Sequence, residues 1–129
     1  MEYVKSYREL TVYRLARELM NELFEASKKF PREEMFSLTD QMRRSSRSVG
    51  AQLAEAWAKR RYEKHFVSKL SDADGEQQET QHWIETAIDC KYISEDKARD
   101  ILKRYESLGK MINSMINKAP VFCSKPTDH

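Results

Sequence analysis

Basic side chains are concentrated in one stretch of the chain, QMRRSSRSVGAQLAEAWAKRR, which spans residues 41–61. A guanidinium group is planar, stays charged and donates several hydrogen bonds in a fixed geometry that matches phosphate and carboxylate oxygens. The residues of this stretch and its continuation that could do such chemistry are Arg43, Arg44, Arg47, Arg60, Arg61 and Lys64. They suit an anionic partner, either nucleic acid or the acidic face of another subunit, unless they form an ordinary solvated face.

The distribution of charge along the chain bears on this prediction. The net charge is only +2, and residues 1–36 balance seven basic against seven acidic side chains. Residues 37–70 carry eight basic and three acidic side chains, whereas residues 71–96 carry one basic and eight acidic ones. A small net charge is low for a dedicated nucleic-acid binder, but a basic segment followed by an acidic one suits a contact between subunits.

Three interpretations of the basic segment remain open on the sequence alone. Its arginines could pair with the acidic third segment and form an ordinary solvated face. They could meet the acidic segment of a neighbouring subunit, and such a contact between unlike faces would close into a ring. They could also contact RNA phosphates, with an affinity that falls steeply with salt. Projection onto a helix at about 100° per residue places Arg43, Arg47 and Arg61 on the outward side, with Gly50, Ala54 and Ala58 forming a flat strip between them.

Other reactive side chains do not form a recognisable site. Glu79 and His82 match the Glu-x-x-His metal pattern of di-iron helical bundles, but that chemistry needs a second copy of the pattern, which the sequence lacks. The histidines are scattered, no glycine-rich phosphate loop is present, and Cys90 and Cys123 have neither metal nor redox spacing. The sequence therefore predicts a protein that is not an enzyme, with no catalytic residues, metal, cofactor or small-molecule substrate.

Four amphipathic segments position these side chains. In each segment apolar residues recur at alternating steps of three and four, the spacing of the buried stripe of a packed helix. Pro31 and Pro120 mark the ends of the first and fourth segments, and Ser37 and Ser94 are candidate N-caps of the second and fourth. The stripes are Val12, Ala16, Leu19, Leu23, Ala26 and Phe30; Leu38, Met42, Ser45, Val49, Leu53 and Ala56; Phe66, Leu70, Ala73, Gln77, Thr80, Ile84 and Ala87; and Ala98, Ile101, Tyr105, Leu108, Ile112 and Met115.

These segments predict an all-α fold, an antiparallel up-down-up-down four-helix bundle with helices of about 20–28 residues. Residues 1–118 are expected to form the bundle, and residues 119–129 a disordered tail. No segment approaches the roughly 18 apolar residues of a membrane span. The start of the chain also lacks the apolar region of a signal peptide. We therefore expect a cytoplasmic protein without membrane contact.

The stretch FPREEMFSLTDQMRRSSRSVGAQLAEA, residues 30–56, resembles the signature of the four-helix bundle proteins encoded by intervening sequences of bacterial 23S ribosomal RNA genes, the S23 family. LTVYRLARELM and ETQHWIETAIDCKYIS resemble the first and third helices of that family, so the resemblance covers about residues 7–116. Gly50, Gln52 and Ala56 depart from the pattern, which usually has proline, asparagine and glycine there. The matching positions of the signature are Phe30, Pro31, Leu38, Thr39, Gln41, Arg43, Arg44, Ser48, Val49, Ala51, Ala54 and Glu55.

This resemblance implies a homo-oligomeric bundle whose family has no established activity. Similarity to a related branch, the accessory protein of diversity-generating retroelements, implies a ring-shaped pentamer that binds a reverse transcriptase and RNA through a basic surface. The leading hypothesis is therefore a non-enzymatic oligomer with RNA or a reverse-transcriptase-like protein as partner, contacted chiefly by Arg43, Arg44 and Arg47. The alternative is a protein-binding scaffold with no nucleic-acid role.

Overall fold

The computed structural model describes residues 4–123, which form four long helices and no strand. Two one-turn 3-10 helices, Tyr7–Glu9 and Arg32–Glu34, precede the first and second long helices. The predicted all-α class is confirmed, although the first long helix, at 17 residues, is shorter than expected. The helices are α1 (Thr11–Ser27), α2 (Leu38–Ala58), α3 (Glu63–Asp89), α4 (Glu95–Asn117) and a short α5 (Ala119–Cys123).

Ion pairs between α2 and α3 show that these helices run antiparallel. Arg44, near the start of α2, lies 2.6 Å from Glu79 in the second half of α3, whereas Glu55 near the end of α2 lies 3.5 Å from Lys69 near the start of α3. Connections of four residues between α2 and α3 and five residues between α3 and α4 impose this arrangement. Because α1 also packs against both α2 and α4, the four long helices form a bundle.

The apolar sides of the four long helices are buried in one shared core. Every residue of the four predicted stripes is buried, and Tyr105, Phe66 and Leu19 are among the largest side chains that are fully enclosed. Burying a large apolar side chain contributes about 1.5–3 kcal/mol, so this core is the main source of stability. Burial also raises the pKa of Tyr105, whose hydroxyl has no hydrogen-bond partner among the described residues.

The polar residues of the α3 stripe make two different contacts. The hydroxyl of Thr80 lies 2.8 Å from the hydroxyl of Ser45 on α2 and 2.8 Å from the carbonyl oxygen of Glu76, so it links the two helices. Gln77 is also buried, but it packs against Gly109 of α4. A Cβ atom at Gly109 would lie 2.7 Å from Gln77 Nε2, so a larger residue at this position would displace the end of the Gln77 side chain.

Of the two serines predicted as N-caps, one caps its helix and the other does not. Ser94 Oγ accepts a hydrogen bond from the backbone N–H of Lys97 over 3.3 Å, which confirms Ser94 as the N-cap of α4. Ser37 makes no capping bond to α2. The carboxylate of Glu34 instead accepts from the Ser37 hydroxyl over 2.6 Å and from the Leu38 N–H over 3.3 Å. The cap of α2 therefore comes from the preceding 3-10 helix.

The first five residues of the expected disordered tail are ordered against the bundle. They form α5, in which Ala119 is buried and the ring of Phe122 stacks on that of Phe66 with a centroid distance of 5.8 Å. A proline is tolerated here because the first turn of a helix leaves its N–H groups unbonded in any case. Residues 124–129 of that tail lie outside the described residues.

The described helices were also compared with the length and hydropathy that a membrane-spanning helix requires. None of those within residues 4–123 is both long enough and apolar enough to cross a lipid bilayer.

Candidate nucleic-acid interface

The predicted basic residues do not form a single surface. They lie on or beside the same helix, but each group has a different neighbour, because three different elements pack around α2. Arg44 faces α3, Arg43 and Arg47 lie against α1, Arg60 folds back onto α2, and Arg61 and Lys64 are exposed where α2 meets α3.

Arg44 is engaged in an ion pair with α3. Its Nη2 lies 2.6 Å from Glu79 Oε2 and 3.5 Å from Glu76 Oε1, and the indole N–H of Trp83 donates to the same Glu79 oxygen over 3.0 Å. The hydrogen bond from Trp83, followed by that from Arg44, lowers the pKa of Glu79. The pKa of Arg44 is raised, chiefly by its hydrogen bond to Glu79. Arg44 therefore follows the first interpretation, a solvated face paired with the third helix.

Arg43 and Arg47 lie over the ring of Phe24 on α1. Their guanidinium carbons are 4.7 Å and 5.4 Å from the ring centroid, and Arg43 Nε donates to Ser27 Oγ over 2.8 Å. Lys28 Nζ lies 4.9 Å from the same centroid. A cation over an exposed aromatic face gains about 0.5–1 kcal/mol, so one ring holds three cations side by side. The outer nitrogens of both guanidinium groups have no hydrogen-bond acceptor within residues 4–123.

The expected flat strip between the outward arginines is wrong at Gly50, where α1 lies close, whereas Ala58 at its other end is exposed. A Cβ atom at Gly50 would lie 3.5 Å from Cε1 of Tyr13, and Ala54 is half-buried. The first 3-10 helix also contacts α2. Helix projection places residues around the axis of one helix, and it contains no information about which neighbouring helix packs on that side.

A second basic cluster lies where the first 3-10 helix meets α1, and the charge count did not reveal it. The rings of Tyr7 and Tyr13 meet edge to face with centroids 4.8 Å apart, and the guanidinium carbons of Arg8 and Arg17 lie 4.6 Å and 6.0 Å from the respective ring centroids. Arg14 Nε donates to the carbonyl oxygen of Arg8 over 3.2 Å. The sequence does contain a signal, since the pair Tyr-Arg recurs six residues apart and another arginine follows one helical turn later.

The two clusters together form what we name the arginine seam, which follows the junction of α1 and α2. Within residues 4–123 none of its members forms an ion pair. Two acids of α1 pair with α4 instead, since Arg104 lies 2.6 Å from Glu22 and 3.5 Å from Glu18, and a third, Glu25, pairs with Lys28 at 3.0 Å. The members of the seam are Arg8, Arg14, Arg17, Arg43 and Arg47.

The remaining predicted residues form a smaller basic patch beside the α2–α3 connection. The guanidinium carbon of Arg60 lies 3.5 Å from the centroid of the Trp57 ring, and Arg60 Nε donates to the Trp57 carbonyl oxygen over 2.9 Å. Burial lowers the pKa of Arg60. Tyr62 is exposed between the exposed side chains of Arg61 and Lys64. This patch has cations available to solvent, but fewer of them than the seam.

The Glu-x-x-His pair has other roles in the bundle. Glu79 accepts the hydrogen bonds from Trp83 and Arg44 described above, and the ring of His82 lies edge to face with that of Trp83 at 4.7 Å. Within residues 4–123 no three histidine, cysteine or carboxylate side chains are grouped as metal ligands. The structure brings no further ligand to this pair.

Comparison with known proteins gives two similarities. The sequence profile of one family, described as 23S rRNA-intervening sequence protein, matches residues 8–114. The chain is also similar to a crystal structure of a protein with unknown function from the S23 ribosomal protein family of Bacteroides thetaiotaomicron VPI-5482. The sequence identity is 27% and the TM-score 0.75, with 82% of this chain and 95% of the other covered. No curated protein matches the chain.

Proposed function

As the chain belongs to the family of 23S rRNA-intervening sequence proteins, we propose that it is a non-enzymatic bundle that binds RNA through the arginine seam. The observation that carries this proposal is the set of five guanidinium groups along one helix junction, none of them in an ion pair within residues 4–123. Guanidinium groups without internal counter-ions are available to phosphate oxygens, and RNA is a polyanion.

The spacing of the seam supports phosphate contact. Arg43 and Arg47 are one helical turn apart, about 6 Å along the axis of α2, so each can contact a different phosphate of one strand. Phe24 restrains both side chains before RNA arrives, which lowers the entropy cost of ordering them. The low net charge of +2 does not oppose the proposal, because binding depends on the local potential of the seam.

Substitutions that remove positive charge from the seam test this proposal. We expect Arg43→Gln with Arg47→Gln to weaken binding of a fluorescent RNA about tenfold or more in an anisotropy titration, since each charge-assisted hydrogen bond is worth about 1.5–3 kcal/mol. Arg99→Gln is the control, because Arg99 lies on α4 and pairs with Glu95 on the same helix. Equal affinities for the wild-type protein, the double variant and the control would contradict RNA binding at the seam.

Self-association is the second part of the proposal, and the connection between α1 and α2 supports it. Phe36 is 91% exposed, and the neighbouring Met35 is 48% exposed. A phenylalanine in water costs hydrophobic free energy that contact with another subunit would recover. We expect multi-angle light scattering to give a mass of several subunits for the wild-type protein and a lower mass for Phe36→Ser. A monomeric wild-type protein at tens of micromolar concentration would contradict this part.

A protein-binding scaffold without a nucleic-acid role is the alternative function, and a groove between α3 and α4 favours it. Asp74, Glu85 and Glu106 line this groove together with Lys110. The groove lies on the opposite side of the bundle from the seam, since α1 contacts α2 and α4 but not α3. The seam of one copy could therefore contact the acidic groove of the next. Loss of the oligomer in high salt, together with no response to RNA, would favour this alternative.

A further inference from the structure

The N-terminal end of the arginine seam contains an open pocket of about 480 Å³. This volume lies within the range of about 300–1,000 Å³ that is usual for small-ligand sites. Phosphate binding alone needs no pocket and no aromatic ring. Because two tyrosines line this pocket beside three arginines, a ligand with a planar part fits it better than phosphate alone. The lining residues are Tyr7, Arg8, Tyr13, Arg14 and Arg17.

The spacing between Tyr13 and Arg17 is suited to a flat group. The guanidinium carbon of Arg17 lies 6.0 Å from the centroid of the Tyr13 ring, which is too far for direct stacking, and its only hydrogen bond to the ring is a long one of 3.4 Å to the hydroxyl. Two planes that enclose a third at van der Waals contact stand about 7 Å apart. A nucleobase can therefore enter if the exposed Arg17 side chain releases the Tyr13 hydroxyl, turns its plane parallel to the ring and moves outward by about 1 Å.

The other residues of the pocket hold this arrangement in place. The edge of the Tyr13 ring lies close to α2, since a Cβ atom at Gly50 would make an ordinary van der Waals contact of 3.5 Å with Tyr13 Cε1. Tyr7 meets Tyr13 at an interplanar angle of 79°. Arg14 is tied to the first 3-10 helix through its Nε, so that its outer nitrogens face solvent beside the pocket. A phosphate attached to the bound nucleoside could receive hydrogen bonds from these nitrogens.

We propose that this pocket binds one unpaired RNA base, stacked between Tyr13 and Arg17 with its phosphate on Arg14, so that the seam selects single-stranded RNA over duplex RNA. The inference rests on the proposed function and adds the class of RNA to it. Bases inside a duplex are stacked on each other and cannot enter a protein pocket, whereas bases of single strands stack readily on aromatic and guanidinium planes. Phosphate contacts elsewhere on the seam are made by either form.

The experiment compares two RNA probes of equal nucleotide number, a single strand of uridines with one central 2-aminopurine and a perfectly paired hairpin. We expect the wild-type protein to bind the single strand at least about tenfold more tightly and to quench the 2-aminopurine, because stacking quenches its fluorescence. Tyr13→Leu should lose the quenching and the preference but keep its affinity for the hairpin. Tyr13→Phe retains the ring and should behave as wild type, and Tyr62→Leu, at an exposed tyrosine outside the seam, is the matched control.

The outcomes separate this inference from the proposed function. Equal affinity of the wild-type protein for both probes, or binding of the single strand without quenching, would overturn the pocket and leave the seam intact. Both results come from the wild-type protein, so they hold even if Tyr13→Leu fails to fold. If Arg43→Gln with Arg47→Gln alters the affinity for neither probe, RNA binding by the α2 arginines of the seam is refuted, and with it the proposed function as stated. Quenching that depends on Tyr13 would then support the pocket by itself.

Discussion

The dependence of RNA binding on salt can be worked out from the number of guanidinium groups in the seam. Each phosphate neutralised on a single strand contributes about −0.7 to the slope of log K against log salt. Five available guanidinium groups therefore predict a slope of about −3.5. Between 50 and 200 mM salt the affinity of the protein for single-stranded RNA should fall about a hundredfold.

Single substitutions on α2 make this prediction specific to the seam. Arg47→Gln removes one guanidinium group that no carboxylate neutralises among the described residues, so the magnitude of the slope should fall by about 0.7. Arg44→Gln removes the same charge from the same helix, but that guanidinium is already paired with Glu79 at 2.6 Å. The slope measured with this control variant should stay close to the wild-type value.

Fluorescence anisotropy titrations at five or more salt concentrations supply the slopes, and circular dichroism melting curves check that each variant is folded. A wild-type slope smaller in magnitude than about 1 would mean at most one or two phosphate contacts, which the seam geometry does not allow. Equal reductions for the Arg44 and Arg47 variants would mean that net charge, rather than the seam, determines binding. Either result would refute the reasoning.

Three further predictions concern stability. In thermal melts, Gly50→Ala should stabilise the protein by about 1 kcal/mol through helix propensity, whereas Gly109→Ala should destabilise it relative to Gly50→Ala, because its Cβ displaces the buried side chain of Gln77. Lys91 adopts φ 63° at the end of α3, so Lys91→Gly should raise the free energy of unfolding in urea titrations by about 1 kcal/mol. Hydrogen bonds from Arg104 lower the pKa of Glu22 below its ordinary value of 4.5, so the stability that this carboxylate contributes is present above about pH 4.5 and is lost as pH falls through the lowered pKa. The melting temperatures of wild type and Glu22→Gln should therefore converge from about pH 6 to pH 3; a constant difference would contradict the assignment.

Much of the fold was predictable because core burial repeats with the period of the helix. Leu19, Met42 and Tyr105 belong to stripes with steps of three and four residues, and all are fully buried. The cap of α4 was predictable for a similar reason, since Ser94 and Lys97 interact within four residues of one another. The cap of α2 was missed, because a glutamate in the preceding turn takes the place of the serine.

For the candidate site, the sequence predicted the residue types but not the contacts that these residues make. The arginines of α2 were identified from their types, and the prediction that some of them pair with the acidic third helix holds for Arg44. The prediction of an open strip failed at Gly50, where Tyr13 is in contact. The N-terminal arginines were overlooked because equal numbers of acids and bases cancel in a count along the chain, although Arg8, Arg14 and Arg17 form no ion pair within residues 4–123.

The sequence by itself determined the helices, their buried stripes and the family, because these depend on residue types at short and regular spacings. Only the tertiary structure decided which neighbours surround each charged side chain. Phe24 meets Arg43, and Tyr13 meets Gly50, across many residues of intervening chain. Such contacts depend on how each helix is rotated about its axis when the core closes. A charge that appears free on its own helix can therefore be neutralised by a neighbour, as in Arg44, or aligned with others, as along the seam.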